Sequence, residues 1–128
     1  MGTSKEPDSA AERWVSYQKN LKVLDCTIRD GGLMNKWQFD DKFVHHVYGA
    51  LSAAGIDYME IGYLSSEKAF ARGEYGSWRF CAEEDLKRIV GDGERSIKLS
   101  AMADIGRIEE KDIPPKEESS LDMVRVAC

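Results

Sequence analysis

The residues whose types and spacing could do chemistry are Arg29 and Asp30, followed at once by Gly31 and Gly32. They close the segment LDCTIRDGG, residues 24–32, where a short apolar run turns polar. A guanidinium is a fixed fork of donors suited to a carboxylate or to the oxygen of a developing enolate. A neighbouring aspartate offers hard oxygen to a divalent cation. Paired glycines mark a loop where the backbone takes positive φ or approaches something closely, and here they would admit a substrate. The same four residues also fit a plain loop ion pair with a tight turn.

Other polar residues sit in or beside apolar runs. Glu60 stands inside MEI, where a carboxylate needs a partner, and Arg29 and Lys98 are the candidates. Tyr63 and Asp104 close the next two apolar runs and are weaker candidates, with packing and capping as their alternatives. Asp25 would support the site from behind. Arg125 lies inside the last run, and its direction is open. Cys26 reads as strand core. His45 and His46 are adjacent on a helix, about 100° apart, and do not co-ligate a metal easily. Trp37, Phe39, Tyr75, Trp78 and Phe80 either line a pocket or plug the loops that carry them.

The elements that must position these residues follow from periodicity. Ser9 predicts a helix cap leading to about Lys19. LKVLDCT (21–27), IDYMEIGYL (56–64), SIKLSAMAD (96–104) and LDMVRVA (121–127) read as strands. Asp40 or Asp41 caps a helix whose Phe43, Val44, Val47, Leu51 and Ala54 repeat at helical spacing, and Gly55 ends it. CAEEDLKRIVG (81–91) is a second helix, with acids first, bases last and Gly91 as stop. Residues 65–80 are a long loop. Pro114 and Pro115 break up residues 105–120. Strands alternating with helices predict an α/β fold with a parallel sheet. A (β/α)8 barrel spends about 250 residues on eight units, roughly 31 each, so four strands here match the first half of one. An open doubly wound sheet is the alternative on pattern alone.

Composition narrows the class. The 128 residues are 42% hydrophobic and 32% charged with a net charge of −5, which is globular and unsuited to non-specific nucleic-acid or anionic-membrane binding. No apolar run reaches the ~18 residues of a membrane span. Three cysteines without CxxC spacing argue against a zinc site or a disulfide framework and fit a reducing cytoplasm. GDG at 91–93 is not a phosphate loop.

DCTIRDGG resembles the first-strand motif of the DRE-TIM metallolyases, the HMG-CoA lyase-like or pyruvate carboxyltransferase family. YMEIGY (58–63) is similar to that family's second strand with its inward glutamate, and LDMVRVA to its fourth. NKWQF and EYGSWRFCAEEDL are most similar to an aldolase-like branch. The resemblance covers about residues 21–128, leaving 1–20 as an extension. It implies the amino-terminal half of a TIM barrel, a metal-dependent carbon–carbon lyase and a 2-oxoacid substrate. It implies that Arg29 stabilises the enolate, that Asp30 ligates Mg2+ or Mn2+, and that Glu60 lies at the site beside them. A Claisen-type acyl transferase and a non-catalytic interaction module are the alternatives.

The sequence departs from the family in two places. The aldolases of this family carry a catalytic histidine at the position of Leu33. The family also completes its metal site with a His-x-His on a late strand, which has no counterpart here, so Asp30 alone should hold metal weakly. Half a barrel leaves open edges that invite self-association or a complementing half.

Overall fold

The computed structural model describes residues 17–128. The helix expected from Ser9 lies outside the described residues up to position 16, and Lys19 and Asn20 form a turn. Four strands make one parallel sheet in chain order: β1 (Leu24–Asp25), β2 (Tyr58–Tyr63), β3 (Lys98–Asp104) and β4 (Met123–Ala127). Helices α1 (Thr27–Asn35) and α2 (Asp41–Ala53) follow β1, and α3 (Glu83–Val90) follows β2. Between β3 and β4 the chain makes only short 3-10 turns at Glu110–Asp112 and Lys116–Glu118. This is the expected α/β architecture of a partial TIM barrel.

Local chemistry explains the boundaries. The Asp40 carboxylate accepts from the Lys42 amide and starts α2, and Gly55 and Gly91 turn at positive φ after α2 and α3. His45 and His46 are exposed on α2, as their adjacency implies. The stretch from Thr27 through the paired glycines, expected as a strand end and a loop, is a helix. Asp25 fixes the entry to it, because its carboxylate accepts from both the amide and the hydroxyl of Thr27, the first helical residue. Strand β1 is correspondingly short, and Cys26 sits at the bend between strand and helix rather than in strand core.

The two faces of the sheet differ. Met59, Leu99 and Ala101 share one face by register and are fully buried in a cluster that includes Val44 of α2 and Leu86 and Ile89 of α3. The opposite face carries Glu60 and Ser100, paired by register, then Met102 with Arg125 and Asp104 with Ala127. Strand β2 carries a bulge between Glu60 and Gly62, so Glu60 pairs with Ser100 while Tyr63 pairs with Met102. Strict alternation would put Glu60 and Tyr63 on opposite faces. The extra residue puts both on the same one. At Gly62 a Cβ would lie 2.0 Å from the Trp78 carbonyl oxygen, so no larger residue fits there.

Candidate functional site

Glu60 is the centre of the polar face. It is fully buried, and every donor around it comes from a different element. Arg29 of α1 donates Nε to Oε1 at 2.9 Å. Arg125 of β4 grips both oxygens, Nε to Oε2 at 2.7 Å and Nη2 to Oε1 at 2.6 Å. Ser100 of β3 donates its hydroxyl to Oε2 at 3.0 Å, and the Cys26 thiol reaches Oε1 from 3.8 Å. Burial alone would raise the Glu60 pKa. The bonds from Arg125, Arg29 and Ser100 outweigh it and hold the carboxyl below its ordinary value. The thiol of Cys26 is pushed the other way, upward, mainly by burial.

Arg29 also pairs with Asp30, whose side chain is 59% exposed at the rim. Arg29 and Asp30 thus stand just past the carboxyl end of β1, where parallel α/β folds gather their ligands. Arg29 is the partner that Glu60 required. Lys98 is not, since its ammonium lies instead over the Tyr58 ring. Arg125 points to Glu60, which the sequence left open. Ser100 joins the site without having been among the sequence candidates, and alternation along β3 is the signal that marks it.

The remaining candidates gather elsewhere. Tyr63 packs edge-on against Trp37, with centroids 5.4 Å apart, and beneath the Arg79 guanidinium. Asp104 lies 3.9 Å from both Arg79 and Arg107 and does not reach Glu60. Gly31 and Gly32 are not open to a substrate. A Cβ on Gly32 would lie 1.9 Å from the Trp37 indole, and one on Gly31 3.3 Å from Phe39, so aromatic rings already fill that space. The glycines serve close approach inside a helix, not positive φ. Trp37, Trp78 and Phe80 are buried and plug their loops.

A divalent metal finds little here. Among the described residues no three His, Cys, Asp or Glu groups converge. Both oxygens of Glu60 are occupied by donors, and Asp30 offers one carboxylate. The residues described do not by themselves fit a metal site, and Leu33 is exposed on α1 without acid–base chemistry.

No family model matches the chain. An oxaloacetate decarboxylase of Mycobacterium tuberculosis is 34% identical over 94 residues, 71% of this chain and 27% of that protein. A 4-hydroxy-2-oxovalerate aldolase of Moorella thermoacetica is 26% identical over 111 residues, 85% of this chain and 32% of that protein. The crystal structure of the N-terminal domain of a candidate aldolase from Bacteroides vulgatus superposes with a TM-score of 0.63 at 26% identity, covering 84% of this chain and 36% of the other. The chain is similar to enzymes of the aldolase and decarboxylase type. It spans only 27% and 32% of the lengths of the two curated relatives. These relatives fit the family that the DCTIRDGG motif resembles. Among the described residues no helix is long and apolar enough to cross a membrane.

Proposed function

We propose that residues 21–128 contribute the opening part of the active site of a carbon–carbon lyase acting on a 2-oxoacid through an enolate. The observation that carries this reading is the pair of guanidiniums, from α1 and β4, fixed on one buried carboxylate inside a parallel sheet, with Arg29 itself just past the carboxyl end of β1. Similarity to an oxaloacetate decarboxylase and a 4-hydroxy-2-oxovalerate aldolase supports it.

In such a cleavage the bond between C3 and C4 of the oxoacid breaks. Its electron pair stays on C3 and delocalises onto the C2 carbonyl oxygen; carbon dioxide leaves from a C4 carboxylate, or an aldehyde leaves once a base has taken the C4 hydroxyl proton, and a proton returns to C3. Charge therefore grows on one oxygen, and donors already in place cost no reorganisation when it does. Arg29 gives Nε to Glu60 and Nη1 to Asp30, and Arg125 gives Nε and Nη2 to Glu60, so Glu60 holds both guanidiniums in place beside the oxygen they would serve. Glu60, ionised and filled with donors, is the holder of both arginines and not the base. The group that moves the proton lies outside these residues.

Asp30 would supply one oxygen to Mg2+ or Mn2+, by itself too few to hold the ion. Strands completing the barrel, from more of the polypeptide or from another copy, would bring the other ligands, and the 128-residue chain alone should turn over little. The cysteines Cys26, Cys81 and Cys128 are all free, which supports a reducing, cytoplasmic setting.

The test is pyruvate binding to this chain, followed through the side-chain resonances of Arg29 and Arg125. Saturable shifts in both, lost in Arg29→Met, are expected. A chain whose arginine resonances ignore pyruvate at any concentration would sink the reading.

A further inference from the structure

We propose that Arg79 is a positioning residue for Arg29, acting through Trp37. Its side chain is 3% exposed and lies among three aromatic rings, 4.6 Å from the centroid of Trp37, 4.1 Å from Tyr63 and 3.8 Å from Phe70. Its Nε is buried without a hydrogen-bond partner, and its nearest carboxylate, Asp104, stays 3.9 Å away. A buried guanidinium with so weak a counter-ion is costly, and stacking on ring faces offsets only part of that cost. An apolar residue would fill the space more cheaply if filling were all that was needed.

What Arg79 holds is a wedge. Lys36 and Trp37 both sit at positive φ, 55° and 57°, a conformation that non-glycine residues keep only when their surroundings enforce it. The 3-10 turn Ser77–Arg79 supplies the enforcement. The Gly76 amide donates to the Lys36 carbonyl at 2.9 Å, and a Cβ on Gly76 would lie 2.0 Å from the Trp37 carbonyl oxygen. Gln38 and Lys36 reach Glu74 at 2.8 and 2.7 Å. Pressed from below by Arg79, the Trp37 indole occupies the gap above Gly32 and donates Nε1 to the Arg29 carbonyl at 2.8 Å. The main chain of Arg29 is thereby fixed where its side chain meets Glu60. NKWQF and EYGSWRF, far apart in sequence, are two halves of one clamp. The inference deepens the proposed function, since Arg29 is the residue being aimed. It is read on Arg29 itself rather than on turnover, so either can fail without the other.

The test follows solvent exchange of the Arg29 Nε–H by NMR in the 128-residue chain, with the Leu99 and Ala101 amides reporting that the sheet is intact. Arg79→Met removes the cation and its flat face, and Trp37→Phe removes the donor to the Arg29 carbonyl. Each should speed Arg29 exchange roughly tenfold, the size of losing one such interaction. The double variant should be no faster than either single one. Should Arg79→Met not fold, Arg79→Lys, a cation without the planar face, should show the same loosening. Unchanged Arg29 exchange in a folded Arg79 variant, or effects that add in full, would overturn the proposal.

Discussion

The two faces of the sheet solve burial in opposite ways. On one, Met59, Leu99 and Ala101 are buried by apolar contact with Val44, Leu86 and Ile89, and each contributes according to the area it removes from water. On the other, Glu60 and Ser100 are buried just as completely, but through directed bonds from α1, β3 and β4. The apolar face tolerates exchange of one hydrophobe for another of similar size. The polar face depends on each member, because removing one leaves the others charged and unpaired.

The first way to break that contrast is Glu60→Ala. It takes from Arg29 and Arg125 the carboxylate they share, leaving Arg29 only Asp30 and Arg125 half-buried without a counter-ion, and a loss of about 3 kcal/mol or more is expected in urea unfolding. A loss under about 1 kcal/mol would show that water replaces the carboxylate freely and that the face is not a network. Leu99→Ala probes the opposite face and should cost about 3 kcal/mol by the same measurement, as a transfer and cavity effect. Glu60→Ala and Arg125→Ala should not add, since the second removes a charge the first has orphaned.

Titration sharpens the same comparison. The Glu60 carboxyl is held below its ordinary value of 4.5 in the folded chain. Its contribution to stability is therefore complete above that pH and is lost as pH falls through the lowered folded value. Unfolding midpoints measured against pH should show a steeper acid limb in the wild-type chain than in Glu60→Gln. Equal limbs would mean the acid response belongs to other carboxylates, Asp122 among them, whose pKa is also lowered. Gly32→Ala gains helix propensity of about 1 kcal/mol but drives a methyl group into the Trp37 ring, so a net loss of about 1–2 kcal/mol is expected by urea unfolding, with a changed tryptophan emission. The smallest effect belongs to the surface. Lys68→Ala breaks an exposed pair with Glu109 and should cost little by the same assay.

Much of this was legible in residue order. Short apolar runs gave the strands, the 3.6 spacing gave α2 with its Asp40 cap, the acid-to-base order and Gly91 gave α3, and alternation of strands with helices gave the parallel sheet, because these patterns act over a few residues that the chain carries with it. The motif at 29–30 and the lone carboxylate at 60 marked the polar face. Helix α1 was not legible, because two glycines argue locally for a loop. The reason to keep them, the Trp37 indole, arrives from outside the helix and is visible only once the chain has folded back.

Residue types alone thus determined which groups could bear charge, and that one of them, Glu60, had to be neutralised if buried. Which groups neutralise it was decided by tertiary structure. The β2 bulge shifts the register beyond Glu60 by one, and α1 and β4 bring Arg29 and Arg125 to one carboxylate from residues 31 and 65 positions away. The physical reason is range. Propensity and periodicity act over a few residues, whereas the pairing of a buried charge depends on whatever the fold brings within about 3 Å of it.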